Sequence, residues 1–571
     1  MAKKTFKVET VGQALLEILR ERGIECLIGN AFTSIIDGLS KFEAEGKSTL
    51  RPVMTPHEQT AVTMAHGFYA VTGRPQAAIV YSTPGTANIA GALVNASKAQ
   101  IPLIVLAASS ALTDDGSMRG ARDIHVQWAQ ESFDQAGMIR EYVKWDYELR
   151  QPAQLESVIN RALEMAMDQP RGPVYISLPR DVIAEALTAV TINTPARREV
   201  ANRRHPDPAR LQEAAKILAE SKSPLIITSE LGRSALAVAG LVELADAGAI
   251  EVIEASPVYA NFPADHPCHA GYVFGSAIHP AIAKADALLV IDCDVPWFPA
   301  RVKIRDKAQV IHLAVDPFFN RYPMHNFRCD VPLAAEPEVT LPLLADAVRK
   351  RVKKREVKAR HQTLTKRHTA ARRKWDKAAL TEAKRIPIGF QWASRCINEL
   401  LGPNTIVFNE YPLDPRFAPP AGPGTYFGAS HAGGLGWGFG AALGAKLGAP
   451  GKTVICTLGD GSYIFGVPTA CHQVARASNL PLLTIIFNNG TWDEVSNSTR
   501  NVHPDGWAVT TDNFPMVSMG PPPKFEEIVR AFDGHGERVE DPAELPAALK
   551  RALNVVRKEK RQALVNIICK R

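Results

Sequence analysis

The stretch TVICTLGDGSYIFGVPTACHQVARASNLPLLTIIFNNGTW narrows the choice of folds more than any other part of the chain. An apolar run, Thr453–Thr457, leads into Gly459-Asp460-Gly461. A helical segment follows, then a second apolar run, Leu482–Phe487, that ends in Asn488-Asn489-Gly490-Thr491. Two buried strands joined by a helix make a βαβ unit of a parallel sheet, and consecutive strands of such a unit lie near each other. The two polar clusters therefore meet at the carboxyl edge of a sheet, where open parallel sheets hold their ligands. Their chemistry suits a magnesium diphosphate. Mg²⁺ takes hard oxygen donors in an octahedron. Asp460 offers a carboxylate oxygen, Asn489 an amide oxygen and Thr491 a backbone carbonyl, leaving room for diphosphate oxygens and water. Gly459 and Gly461 let the backbone approach phosphates, and the helix that follows, from Ser462, offers N–H groups. Gly-Asp-Gly alone is a weak signal that reads first as a tight turn; the helix, the strand and the Asn-Asn-Gly that follow give it weight.

The same rhythm runs through the rest of the chain. Helix signals at Thr10–Arg22 and Glu58–Val71 alternate with strand-like runs at Ile24–Ile28, Ala77–Tyr81, Pro102–Ala107 and Gly172–Pro179. A second set of strands is expected at Pro224–Thr228, Ile250–Ile253, Ala287–Ile291 and Val310–Leu313, and a third at Thr405–Asn409, Thr453–Thr457, Leu482–Phe487 and Ala563–Ile568. The fold class is therefore α/β, with three domains, each a mainly parallel sheet flanked by helices. The expected limits are 1–186, 205–345 and 387–571, with a helical connector over 349–385. The stretch 187–208 has linker composition, with Pro195, Arg197, Arg198, Arg203, Arg204, Pro206 and Pro208. The first and third segments match in length and rhythm, without a literal repeat.

Charge singles out the connector. The 571 residues carry a net charge of +7, yet 349–385 alone holds sixteen Lys/Arg against three acids. The protein is thus not basic as a whole, and any nucleic-acid or membrane role would rest on that segment. It reads as a solvated helical connector, with phosphate binding as the alternative. The eight cysteines form no CxxC pair, and several, such as Cys456, sit in apolar runs, as expected of a reducing compartment. No apolar run reaches the ~18 residues that span a bilayer, and the start, MAKKTFKVET, has no apolar signal core. The expectation is a cytoplasmic protein with neither nucleic acid nor membrane as partner.

The GDG…NN pattern resembles the thiamine-diphosphate signature, and the chain resembles the 2-oxo-acid decarboxylase and acetolactate synthase superfamily along nearly its whole length. PGTYFGASHAGGLGWGFGAALGAKLG, VKWDYEL, GPVYISLP and NNGTW are most similar to benzoylformate decarboxylase-like members. The resemblance implies a thiamine-diphosphate-binding fold for the first and third domains and a Rossmann-like central domain. It implies thiamine diphosphate and Mg²⁺ as cofactors, the cation being held by Asp460, Asn489 and Thr491, with Gly459, Gly461 and Ser462 at the cofactor. It also implies a homodimer or homotetramer with active sites between subunits.

Glu58, in Pro56-His57-Glu58-Gln59 at the start of a helix, matches the family's activating glutamate. The cofactor reacts as a C2 ylid formed by its own aminopyrimidine, and it needs a carboxyl group hydrogen-bonded to the far ring nitrogen. On its own, Glu58 reads as an acid complementing a helix dipole. Leu435, in GGLGWG, aligns with the apolar side chain that bends the cofactor, or else is a core leucine.

On the substrate side the resemblance departs. The two relay histidines of benzoylformate decarboxylase-like enzymes fall at Tyr81 and near Pro299. The first loop keeps a hydroxyl at Thr33 or Ser34. Gln130 lies where related carboligases place a glutamine facing the cofactor, or is a structural helix residue; Glu494 is an acid or base on the substrate, or a surface carboxylate. His57, His431, His472 and His503 are further proton donors. Phe32, Thr33, Tyr81, Trp297 and Trp492, with Phe298, suggest a pocket with aromatic walls.

The expected activity is a non-oxidative carbon–carbon lyase working through an ylid and an enamine on a small 2-oxo acid or 2-hydroxy ketone. The alternatives are an acetolactate synthase-type transferase, a 2-hydroxyacyl-CoA lyase taking an acyl-CoA, and a non-catalytic binding protein.

Overall fold

A computed structural model describes residues 2–47, 50–194, 203–275 and 277–570. Three six-stranded sheets, each wholly parallel, form its frame. The first runs Arg51–Met54, Cys26–Gly29, Ala77–Val80, Ile104–Ser109, Val174–Pro179, Trp145–Glu148 across its width. Numbered along the chain, that order is 2-1-3-4-6-5. The third sheet runs Tyr426–Gly428, Thr405–Glu410, Thr453–Gly459, Leu483–Asn488, Ala563–Ile568, His535–Val539, which is 2-1-3-4-6-5 again. The likeness of the first and third segments, visible in the sequence only as rhythm, is thus a shared topology. The central sheet differs: His269–Val273, Glu251–Ala255, Pro224–Thr228, Ala287–Ile291, Gln309–Ala314, Val331–Ala334 is 3-2-1-4-5-6, the doubly wound dinucleotide-fold order.

The strands are apolar on both faces because helices cover both; Thr405–Glu410 and Leu483–Asn488 are buried at every residue. Helix Glu58–Thr72 of the first unit packs on helix Gly438–Gly448 of the third. Small residues make that crossing possible. A Cβ on Gly67 would lie 1.8 Å from the Ala441 carbonyl oxygen, and one on Gly444 would lie 1.8 Å from that of Met64. Gly67→Ala is expected to lower stability by about 1–3 kcal/mol, read as a fall in melting temperature; an unchanged melting temperature would contradict this packing.

One expectation is corrected. The span taken for linker begins with a strand, Ala189–Thr194, which pairs antiparallel with Ala2–Lys7. The β-branched Val190, Thr191, Ile192 and Thr194 favour that pairing. Pro195, Arg197 and Arg198 lie outside the described residues.

The basic connector is one helix, Lys354–Thr381, laid against the central unit. Arg360 donates to the carbonyls of Gly248 and Ser221, His368 meets the Ala264 carbonyl, and Arg367 pairs with Glu251. Asp246 faces both His266 (3.3 Å) and His361 of the connector (4.0 Å). Cys268 lies beside them, but its backbone N–H donates to His266 Nδ1. The proton of neutral His266 is then on Nε2, toward Asp246, which is the arrangement of a hydrogen bond rather than of a metal ligand. Among the described residues no helix is long and apolar enough to cross a membrane.

Candidate active site

In a 2-1-3-4-6-5 sheet the strand order reverses between the first and third strands, and a crevice opens at their carboxyl ends. In the third unit these strands are Thr405–Glu410 and Thr453–Gly459, with Glu410 level with Leu458. Asp460 follows directly. It is buried, and its carboxylate collects backbone N–H groups from both loops: Gly461 at 2.8 Å, Asn489 at 3.0 Å and Gly490 at 2.6 Å. Burial raises its pKa while those N–H groups pull it back. No Lys or Arg among the described residues pairs with it. The Asn489 amide donates to Asp493 and its oxygen accepts the Thr491 N–H at 3.1 Å. Asp493 also has a raised pKa, through burial and then through the charges of Asp460 and Glu494.

The two glycines differ. A Cβ on Gly461 would strike the Trp492 ring at 2.3 Å, so Gly461 exists to admit that ring, which stands edge-on to Phe465. Beside Gly459 the space is open, the nearest atom being Ser462 Oγ at 4.0 Å.

Glu58 opens its helix, with His57 Nδ1 accepting the Gln59 N–H as N-cap. Asn88 Nδ2 donates to Glu58 Oε2 at 3.0 Å, and a Cβ on Gly85 would lie 3.3 Å from Oε1. Both neighbours belong to helix Ser82–Asn88, which starts at the carboxyl end of Ala77–Val80, the crevice position of the first sheet. The same helix places Ser82 Oγ 2.9 Å from Gln130 Oε1. The Gln130 amide nitrogen has no hydrogen-bond partner among the described residues. Glu58, Tyr81, Ser82 and Gln130 are thus brought to one edge.

Leu435 is half-buried between two clamps. Asn95 of the first unit exchanges two hydrogen bonds with Gly434, at 2.8 and 3.1 Å. Glu410, fully buried, accepts the Gly436 N–H at 2.7 Å and the Gly438 N–H at 2.6 Å. Gly436 has φ +83° and no room for a Cβ against Phe465. Gln59, next to Glu58, reaches the Gly436 and Phe465 carbonyls at 3.4 Å. Asn88, Asn95 and Glu410 were not singled out in the sequence. For Glu410 a signal existed, since a carboxylate closing the apolar run TIVF is costly unless something uses it.

Residues 9–138, 211–344 and 415–567 match the N-terminal, central and C-terminal domain models of thiamine pyrophosphate enzymes. The chain belongs to the thiamine-pyrophosphate-dependent enzymes. It is 28% identical over 497 residues to benzoylformate decarboxylase of Pseudomonas aeruginosa, covering 85% of this chain and 87% of that one. It is 23% identical over 568 residues to a probable acetolactate synthase large subunit of Methanocaldococcus jannaschii (95% and 89%). The crystal structure of benzoylformate decarboxylase from Polynucleobacter necessarius superposes with a TM-score of 0.78 over 99% of both chains at 21% identity, a likeness of fold.

The donors present around the GDG crevice suit a diphosphate with its cation. Asp460, Asn489 and the Thr491 carbonyl are hard oxygen donors, the buried Asp460 lacks a positive partner, and the space over Gly459 is open. Glu494 sits exposed in the first turn of helix Asp493–Val502.

Phe32 and Trp297 stand apart from that edge. Phe32 is packed in the core of the first sheet and Trp297 in that of the central sheet, its ring edge-on to Phe327. Thr33 and Tyr81 are exposed at the first sheet's carboxyl edge. His472 is buried between Tyr463 and Gln562, and burial pushes its pKa down to about 4. His503 is exposed. His431 is bound into the central unit: Nδ1 to Asp294 at 2.5 Å, Nε2 to the Ser256 carbonyl at 2.8 Å, with Ser229 Oγ 3.1 Å away. Asp294 also accepts from Tyr322, and its carbonyl meets His325.

Burial alone would depress the His431 imidazolium. The hydrogen bond and charge of Asp294, with Glu230 behind, outweigh it and push the pKa up to about 9. A raised folded-state value stabilises the protein below the ordinary pKa near 6.5 and is lost as pH climbs through about 9. The melting temperature is expected to fall across that window, and His431→Gln should flatten the fall. An equal slope in parent and variant would refute the assignment.

The central crevice, between the carboxyl ends of Pro224–Thr228 and Ala287–Ile291, is small and acidic. A cavity of about 50 Å³ is lined by Glu230, Asp292, Asp316, Glu336 and Glu338; among the described residues Arg233 pairs with Glu230 and Arg203 with Glu338.

Proposed function

We propose that the chain is a thiamine-diphosphate- and Mg²⁺-dependent carbon–carbon lyase that decarboxylates a 2-oxo acid without oxidation and yields an aldehyde or a carboligated hydroxy ketone. What carries the reading is Asp460: a buried, cation-free carboxylate held by backbone N–H groups of two adjacent strand ends, in front of an open Gly459. Asp460, Asn489 and the Thr491 carbonyl would hold Mg²⁺, and the N–H groups after Ser462 would meet the diphosphate. When bound, thiamine diphosphate supplies a carbanion that attacks the substrate carbonyl and accepts the electrons freed as CO₂ leaves.

This chain's own residues do the rest. Glu58, fixed by Asn88, would hold a hydrogen bond to the aminopyrimidine ring, and Leu435 would support the cofactor from its double clamp. Gln130, its oxygen committed to Ser82, is free to donate through Nε2 to the substrate carboxylate. That free amide also favours a second reading, an acetolactate synthase-type transferase in which a second 2-oxo acid is the acceptor. The central crevice, where carboxylates outnumber the arginines paired to them, disfavours an acyl-CoA substrate. The apolar side chains of Leu112, Ile124, Trp128 and Phe133, exposed on the loop that carries Gln130, support a homodimer whose second copy covers the site. All eight cysteines are free, in keeping with a cytoplasmic home.

The test is a panel of 2-oxo acids incubated with protein, thiamine diphosphate and Mg²⁺, with products read by mass spectrometry and 2-hydroxyacyl-CoA esters alongside. CO₂ with an aldehyde or hydroxy ketone is expected. Formyl-CoA instead, or no cofactor uptake by calorimetry, would overturn the proposal.

A further inference from the structure

Tyr411 is the first residue beyond strand Thr405–Glu410, on the very lip of the third unit's crevice. Glu410 is level with Leu458, so Tyr411 leaves the sheet edge from which Gly459, the uncovered glycine in front of Asp460, also emerges. Its backbone has φ +82°, a left-handed conformation that a bulky side chain pays for in strain, and one that persists where surrounding structure fixes it. Here the fixing is visible. Glu410, one residue back, is locked by the Gly436 and Gly438 N–H groups, and Pro412 follows.

The strain has a product. The ring is turned out of the core, 55% exposed, and its hydroxyl stands 3.3 Å from where a Cβ on Gly433 would be, beside the loop that carries Leu435. The phenol donates to none of the described residues. A phenol, with an ordinary pKa of about 10, keeps its proton at neutral pH.

We infer that Tyr411 is a substrate-positioning residue whose phenol O–H donates a hydrogen bond to a carboxylate or carbonyl oxygen of the 2-oxo acid. The inference rests on the proposed function and adds to it a hydrogen-bond donor from the third unit. His431 and His472 are committed elsewhere, and Tyr81 and Pro299 replace the two relay positions.

The experiment uses the holoenzyme, with two variants. Tyr411→Phe keeps the ring and the backbone and removes only the hydroxyl. Tyr411→Gly keeps the left-handed backbone without strain and removes the ring. Both should bind thiamine diphosphate as the parent does, by fluorescence titration, and Tyr411→Phe should melt at the parental temperature. For the best 2-oxo acid of the panel, kcat/KM should fall 10- to 100-fold in Tyr411→Phe, the scale of one hydrogen bond to a charged group. Calorimetric binding of the matching 2-hydroxy acid, which cannot be decarboxylated, should weaken by a similar factor.

Parental kcat/KM and parental hydroxy-acid affinity in Tyr411→Phe would overturn the inference and leave the proposed function standing. A lowered melting temperature with unchanged hydroxy-acid affinity would make Tyr411 structural, which also overturns it. A parent that neither consumes a 2-oxo acid nor binds a 2-hydroxy acid would bring down the proposed function, and the inference with it.

Discussion

Glu58→Gln is expected to fold like the parent, bind thiamine diphosphate within a few-fold of it, and lose about 10²- to 10⁴-fold in kcat, the range for removing a positioned acid–base group. The substitution keeps size and shape. Asn88 Nδ2 can still donate to the remaining oxygen, and His57 still caps the helix through Gln59. What disappears is the carboxyl group's ability to share a proton with the cofactor ring. Glu58→Ala should show the same loss without the steric match. Turnover near the parental rate in either variant would remove Glu58 from the reaction. The same measurement on Gly85→Ala, whose Cβ would press on Oε1 from 3.3 Å, should show a smaller loss in the same direction.

Asp460→Asn should fail differently. The carboxylate accepts three backbone N–H groups, two of them on a loop from the next strand, so it ties the loops together as well as offering a ligand. An amide turns one acceptor oxygen into a donor that faces N–H groups. Leaving buried N–H groups unpaired costs about 1–3 kcal/mol each, so a melting temperature several degrees lower is expected even without cofactor. Cofactor affinity should fall by at least about 100-fold, since a charged cation ligand is lost. Added Mg²⁺ should stabilise the parent in the presence of thiamine diphosphate and leave Asp460→Asn unmoved. A variant that retains parental affinity and a parental response to Mg²⁺ would relocate the cation site.

What the sequence discloses follows from the physics of each element. The three-part α/β rhythm is legible because parallel strands covered on both faces must be almost wholly apolar, as Thr405–Phe408 and Leu483–Phe487 are. Gly459, Asp460 and Asn489 are legible because they interrupt such runs at fixed places. Glu410 and Tyr411 interrupt one too, but a carboxylate and an aromatic after a strand carry no spacing signature, and only a φ of +82° marks Tyr411 as unusual. The pocket expected around Trp297 rested on aromatic composition, which does not tell a wall from a core; its ring packs inward on Phe327. Asn95 escapes notice because its partner, Gly434, is more than three hundred residues away. The shared strand order of the outer sheets is invisible to residue-by-residue matching, since topology survives where identity has gone.

The crossing of Glu58–Thr72 with Gly438–Gly448 bears on how substrate enters. With Gly67 against Ala441 and Gly444 against Met64, the two backbones touch, and neither helix can slide or tilt without collision. The first and third units of one chain therefore travel as a single block, and no hinge between them can serve as a door. Traffic must pass elsewhere, and the helix Asp493–Val502 behind Trp492, with a single buried residue, is the lighter part. Amide exchange should be slowest in the glycine-lined pair and faster in that helix.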